Sequence, residues 1–495
     1  QIIIMFSILL SFVLSIFTVI YLYFKWKYSY WKSRNVPYIS PVFPFGNISD
    51  LVFLRRTVGE LYNEFYWKFE DKPLVGFYKF AQPMLLIKDD ELLKTILVKD
   101  FNSFHDNDVY VSERLDPLLA YNPFILRGER WKKIRTSHIG TLTPAKLKGM
   151  VPFTVDVCKN LVTFLESKLS FPIEARDLCA SYATDNVASC AFGLQCDSLI
   201  NPNAAFSKVT RRVFESDKHT GLVTMMSFFV PSLLNFFRMI SKDVSDYFIQ
   251  IIKDTIHYRE TNGVQRDDFL QCMIKALKEN RKDNDHVVIT SQCFGMLLDG
   301  FFTTSIAMSF VLYELAMHPE IQDKLRKEIQ SFGENITDFD YDKVQMLNYL
   351  DMVIHESLRL HPPLQTLTKI CTKNTVLSCN GTDYKVDKGT PVAIPVTAIH
   401  MDEKYYPRPK EFIPERFSEE QKATRDRYLY LAFGEGPRIC LGMKFAILQM
   451  KLGLIAILLN FGLTTKDKKP IELDPNSLLF HTAKGGLWLI FNKIF

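Results

Sequence analysis

The chain has 495 residues, 47% of them apolar and 23% charged, with 40 phenylalanines. That balance describes a folded protein with a large, aromatic-rich core and excludes a disordered or low-complexity chain. The formal net charge of +5 is small for the length and gives no reason to expect a nucleic-acid partner, and the 9 cysteines are scattered without metal-ligand spacing, as reduced thiols on a cytosolic face are.

Residues 1–24 carry no charged side chain. A helix of that length crosses about 30 Å of hydrocarbon at about 1.5 Å per residue, so the stretch is expected to be an N-terminal transmembrane anchor. Tyr21, Tyr23 and Trp26 suit an interfacial belt, and Lys25, Lys27, Lys32 and Arg34 follow, which places the remainder in the cytosol. A cleaved signal peptide fits worse, because the apolar run is too long and the positive charges come after it. Gln1 stands where an initiating Met is expected, so at least one residue is expected before it. Pro37, Pro41, Pro44, Gly46 and Asn47 break any helix, which makes 25–46 a basic, proline-rich linker and 47–495 a single globular domain.

The body reads as mainly helical, with a few strand-like runs at Met84–Ile87, Val392–Pro395 and Gly486–Phe491. Helical periodicity over Leu126–Arg135 puts Trp131 and Arg135 on one face. The stretch 204–240, with Phe228, Phe229, Phe236 and Phe237, is apolar for a loop region; it reads either as core helix or as a lid that dips into a membrane surface. From Val287 to Tyr313 there are 27 residues with one charge, Asp299. A second membrane span is conceivable, but Thr290, Ser291, Gln292, Thr303, Thr304 and Ser305 suit a long core helix better. Asp299 lies one turn before Thr303 on the same face, and an unpaired carboxylate in an apolar helix is costly. Further on, Glu356 and Arg359 are spaced to pair on a helix that runs from about Asp338 and stops at His361-Pro362-Pro363, and Pro414-Glu415-Arg416-Phe417 follows. Asn47, Asn335 and Asn380 begin glycosylation sequons that a cytosolic domain leaves unused.

The stretch around which the chain is organised is Phe433-Gly434-Glu435-Gly436-Pro437-Arg438-Ile439-Cys440-Leu441-Gly442, with an apolar-rich helix expected over Met443–Leu459. A cysteine just before a helix N-terminus has its thiolate favoured by unpartnered backbone N–H groups. Gly436 and Gly442 let backbone approach a flat ligand, and Arg438 offers a fork to a carboxylate. The physical reading is a thiolate axial ligand to a haem iron with an arginine on a propionate.

In this loop Phe433, Gly436, Arg438, Cys440 and Gly442 fill every fixed position of Phe-x-x-Gly-x-Arg-x-Cys-x-Gly, and the sequence here resembles the cytochrome P-450 family, the haem-thiolate monooxygenases. The wording Phe-Gly-Glu-Gly-Pro-Arg and the segment 308–329 look most like the insect detoxification branch of its microsomal class. The resemblance implies a mainly α cytochrome P-450 fold with a minor β part behind an N-terminal transmembrane helix. It implies haem b with Cys440 as the metal ligand. Trp131, Arg135, Lys369 and Arg438 then face propionates, Phe433 and Gly442 shape the cofactor loop, and Glu356, Arg359 and Arg416 form a structural network behind it. Lys369 stands where microsomal relatives usually carry Arg and supplies charge without the bidentate fork. Segments 104–119 and 204–240 correspond to variable substrate-recognition regions.

Thr303 is implied as the catalytic alcohol of the central helix. The chain departs from the family's Ala-Gly-x-acid-Thr wording twice, with Asp299 at the Ala and Phe302 at the acid. Phe302 carries no proton. Asp299 is open to four readings: it replaces the missing catalytic acid, it binds a cationic or polar substrate, it forms an ester with a haem methyl, or it pairs structurally with a buried base. The implied activity is insertion of one oxygen atom of O2 into a lipophilic small molecule, with electrons from NADPH through NADPH-cytochrome P-450 reductase, cytochrome b5 as a further partner, at the endoplasmic reticulum membrane. Lys132, Lys133, Arg425, Arg427, Lys444 and Lys451 are candidates for the basic face that meets an acidic reductase. The alternatives are a haem-thiolate isomerase or dehydratase acting on an oxygenated lipid without NADPH, and a non-catalytic haem binder.

Overall fold

A computed structural model of the chain describes residues 2–69, 71–138, 140–201, 203–214, 228–279, 286–466 and 470–494. The first helix, α1 (Ile2–Lys27), starts in the uncharged run and continues through Lys25 and Lys27, and none of its residues is buried. Two other helices are apolar enough to cross a bilayer, α5 (His286–Met317) and α7 (Met443–Asn460), but 67% of the apolar window of each is buried against 0% for α1. The second membrane span conceivable from the sequence is therefore a core helix, because protein rather than lipid covers its apolar surface.

The proline-rich stretch after α1 is packed rather than free. Trp31 is fully buried, its Nε1 donating to the Phe77 carbonyl at 3.1 Å and its backbone N–H to the Tyr78 hydroxyl at 3.1 Å. A Cβ on Gly76 would lie 2.6 Å from the Trp31 ring, so only glycine lets the strand pass. Phe43 receives the rings of Phe17, Tyr21 and Phe24 from α1 at 5.7, 5.6 and 5.2 Å.

Among the described residues ten strands follow the linker: β1 (Leu74–Lys79), β2 (Gln82–Ile87), β3 (Asp106–Asn107), β4 (Pro172–Glu174), β5 (Leu367–Ile370), β6 (Thr375–Cys379), β7 (Thr382–Val386), β8 (Pro391–Ile394), β9 (Phe461–Thr464) and β10 (Trp488–Lys493). One sheet has the order β1-β2-β8-β5-β3, the second β4-β10-β9, and β6-β7 is a hairpin. The three expected strand runs fall in β2, β8 and β10. The β5–β3 pairing sets Lys369 opposite Asn107, which carries the sheet's edge to the site.

The other regular elements are helices. The site is framed by α2 (Gly128–His138), α3 (Pro144–Glu166), α4 (Ala175–Val187), α5, α6 (Asn348–Leu360) and α7. The stretch expected as one helix from Asp338 is broken at Leu347, whose ψ of 85° separates Tyr341–Met346 from α6. In the apolar stretch 204–240, residues 215–227 lie outside the described residues; of the rest, Phe229 is buried beside the first sheet and Phe236 is 77% exposed.

Candidate functional site

The cysteine loop is held by its own backbone: the Cys440 N–H donates to the Phe433 carbonyl at 2.8 Å. Gly436 has φ +79°, and a Cβ there would sit 2.2 Å from the Leu97 carbonyl oxygen. That glycine admits a neighbouring chain segment, not the ligand expected from the sequence. Gly442, which precedes α7, has no protein atom within 4 Å of the Cβ it lacks.

Cys440 is exposed to a water-sized sphere, yet burial pushes its thiol up to about 11, against the downward pull of the Gly442 and Met443 N–H groups and of Arg135. Both observations hold together if the sulfur opens onto a space enclosed by protein. Desolvation thus opposes the Gly442 and Met443 N–H groups, which favour the thiolate as the sequence suggests. A bound metal ion is what makes such a sulfur a thiolate outright.

Beside the cysteine lies a crowd of cations. Arg438 donates to the carbonyls of His105 at 2.5 Å, Pro123 at 3.2 Å and Leu126 at 2.8 Å, and to the Asp106 carboxylate at 3.2 Å. Its guanidinium lies 4.2 Å from the buried Trp131 ring. Lys369 is buried, donates to Asn107 Oδ1 at 2.8 Å, and is pushed down to about 7 by burial and by Arg438. Arg135, one turn along α2 from Trp131, is held below the ordinary arginine range, chiefly by burial. Asp106 is the acid that Lys369 and Arg438 share. This excess of buried positive charge matches the two propionates of a haem, and the open sulfur matches its iron. The residues present therefore fit that cofactor.

Behind the loop, Glu356 and Arg359 are both fully buried. Arg359 donates to both Glu356 oxygens, at 2.7 and 2.8 Å, and to the carbonyls of His400, Pro409 and Glu411. Arg416 reaches Glu356 at 3.2 Å and the Ile413 N–H donates to it at 2.9 Å. The structure thus brings these three residues together, one buried carboxylate held by two guanidinium groups.

On α5 the Thr303 hydroxyl donates to the backbone carbonyl of Asp299 at 2.5 Å, not to its carboxylate. Phe302 points elsewhere, its ring 4.5 Å from Phe480 and 5.8 Å from the Arg176 guanidinium. Asp299 combines the same two properties as Cys440: its side chain is exposed, yet burial pushes its carboxyl up to about 6, with an Asn122 hydrogen bond at 3.1 Å pulling the other way. The Asp299 charge also raises the Cys440 thiol. Of the candidate basic face, Lys132, Lys133, Arg427 and Lys444 are exposed. Arg425 is half-buried over the Phe417 ring at 4.6 Å, and Lys451 does not belong to any surface: it is buried and paired with Asp351 at 3.1 Å.

Asp106, Asn107 and Asn122 carry the site with the expected residues but were not among them. Asp106 and Asn107 form the two-residue strand β3 and Asn122 lies outside any helix or strand, pieces too short to show a periodicity, and Asp106 meets Arg438 across more than 300 positions of chain.

A family model described as Cytochrome P450 matches residues 37–489. The chain is 37% identical over 484 residues to cytochrome P450 6j1 of Blattella germanica, covering 96% of this chain and 95% of that protein. It is 35% identical over 502 residues to cytochrome P450 6A1 of Musca domestica, covering 98% of each. With probable cytochrome P450 6a20 of Drosophila melanogaster it shares 34% identity over 509 residues, 99% of this chain and 100% of that protein.

Proposed function

The chain belongs to the cytochrome P450 family, beside insect relatives that are haem-dependent monooxygenases, and from that premise we propose that it inserts one oxygen atom of O2 into a lipophilic small molecule. Haem b, when bound, supplies the iron centre at which oxygen is activated, with thiolate ligation favouring O–O cleavage. Cys440 supplies the sulfur ligand. Arg438, Arg135, Lys369 and the Trp131 indole N–H hold the propionates, and Phe433 and Gly442 shape the loop around them. The Thr303 hydroxyl, which rests on the Asp299 carbonyl, would hold and move a proton during oxygen activation. Glu356, Arg359 and Arg416 position the loop and do no chemistry.

Electrons come from NADPH through NADPH-cytochrome P450 reductase, whose acidic surface meets Lys132, Lys133, Arg427 and Lys444; cytochrome b5 is a second donor. The endoplasmic reticulum membrane holds α1, with the domain on the cytosolic side. One observation favours a second reading: Phe302 carries no proton and faces Phe480. A NADPH-independent isomerase or dehydratase of an oxygenated lipid has no need of that acid.

The observation that carries the first reading is the exposed, yet desolvated, sulfur of Cys440 beside the surplus of buried cations. Cys440→Ser is expected to abolish the carbon monoxide difference band that gives the family its name, together with turnover. A serine variant that keeps both removes the basis of the reading. Product formed only with reductase and NADPH separates the monooxygenase from the isomerase.

A further inference from the structure

Six carboxylates are buried among the described residues, and each is well supplied with donors. Asp106 has Arg438, Asp268 has Arg259 and Arg266, Glu314 has His361, and Glu356 has Arg359 and Arg416. The other two hold pairs of backbone N–H groups: Asp116 those of Met239 and Ile240, and Asp185 those of Ser198 and Leu199.

Asp299 departs from this pattern. It sits in the middle of the core helix α5, in a desolvated setting, with the Asn122 amide on Oδ2 as its one donor. No lysine, arginine or histidine among the described residues forms an ion pair with it, and Oδ1 accepts no hydrogen bond there. The Asn122 side chain is itself fixed, buried and accepting from the Phe124 N–H at 2.7 Å, so the carboxylate is oriented as well as exposed. A carboxylate aimed into an enclosed space without a cation is a complementary half of an ion pair.

Resting on the monooxygenase reading, we propose that Asp299, oriented by Asn122, is the specificity-determining residue of the substrate cavity and selects lipophilic substrates that carry a positive charge, such as protonated amines. The ammonium lies on Asp299 and the apolar body fills the remaining space. The other readings of Asp299 make different predictions: an ester to haem consumes the carboxylate, and a relay acid needs no charge on the substrate.

The test uses the haem-loaded full-length protein, decyltrimethylammonium and its uncharged tert-alkyl isostere, with binding followed by equilibrium dialysis and by the shift of the haem spectrum. A quaternary ammonium has no lone pair and does not ligate iron, so the comparison reads the protein alone. The expected result is binding of the cation about tenfold or more tighter than the isostere. Asp299→Glu is expected to retain that preference and Asp299→Asn to abolish it. Equal binding of the two ligands by the unaltered protein overturns the proposal without any variant, as does haem that stays attached to peptide after denaturation. Each sample is first checked for its carbon monoxide difference band. A missing band counts against haem–thiolate ligation and so against the monooxygenase reading on which the proposal rests; an intact band without charge discrimination counts against the amine proposal alone.

Discussion

Glu356 and Asp299 are both carboxylates on helices in the interior, and they are finished in opposite ways. Glu356 accepts from two arginines and a backbone N–H, and each arginine also donates to backbone carbonyl oxygen, so the carboxylate is fully supplied with donors. Asp299 has one amide donor and an open oxygen. A buried ion network that is complete fixes geometry; an incomplete one keeps binding capacity at a cost in stability. The side of the site behind Cys440 is therefore built to hold still, and the side along α5 is built to receive something. Cys440 lies between the two, its loop fixed from behind and its sulfur open in front.

Removing one partner from the complete side should produce the largest effect. Glu356→Ala leaves the fully buried Arg359 and the half-buried Arg416 without their carboxylate, which costs about 3–5 kcal/mol. Thermal unfolding and the yield of haem-loaded protein should both fall sharply; a variant of unaltered stability means that the network is not structural and the contrast with Asp299 fails. Gly436→Ala comes next. It places a Cβ 2.2 Å from the Leu97 carbonyl at a backbone φ of +79°. Strain of this kind costs about 2–3 kcal/mol before the neighbour moves, and chemical denaturation measures it. A mild effect would show that the loop yields, so that the rigid side is less rigid than its hydrogen bonds imply.

The rigid side was the more legible in the sequence. Glu356 and Arg359, one helical turn apart, were legible as a pair, whereas Gly436 was legible as a glycine the loop requires but not for its reason, the Leu97 backbone beside it. The long apolar runs likewise settled α1, α5 and α7 as helices; the polar side chains of α5 already favoured a core helix, and its burial agrees. The receiving side was half legible. Asp299 stood out because a charge in an apolar run is conspicuous. Its partner Asn122 did not, because a polar residue in an irregular segment looks the same whether it faces solvent or orients a carboxylate. Lys451 failed for the converse reason: a lysine on a helix looks exposed until Asp351 is found beside it. The sign of the Cys440 shift was also out of reach, since it depends on how much protein surrounds the sulfur.

The smallest expected effect has the opposite sign and is the most telling. Asp299 has its carboxyl raised from 3.8 to about 6, chiefly by burial, and its titratable neighbour across the interior is the Cys440 thiol. For an acid raised in the folded state, the unfolded chain gives up its proton first. Stability attributable to Asp299 is therefore lost as pH rises from about 4 to 6, and above pH 6 the whole cost of the buried charge is present. Asp299→Asn removes that cost. Its side chain is open to any water in the cavity, which screens the charge, so the gain is discounted to about 1 kcal/mol. The variant should melt above the unaltered protein at pH 7 to 8 and together with it near pH 4. Adding decyltrimethylammonium at pH 7 should narrow the gap by stabilising only the protein that keeps the carboxylate. If Asp299→Asn instead destabilises at every pH, as Glu356→Ala is expected to, Asp299 has a structural partner after all and the two carboxylates are alike.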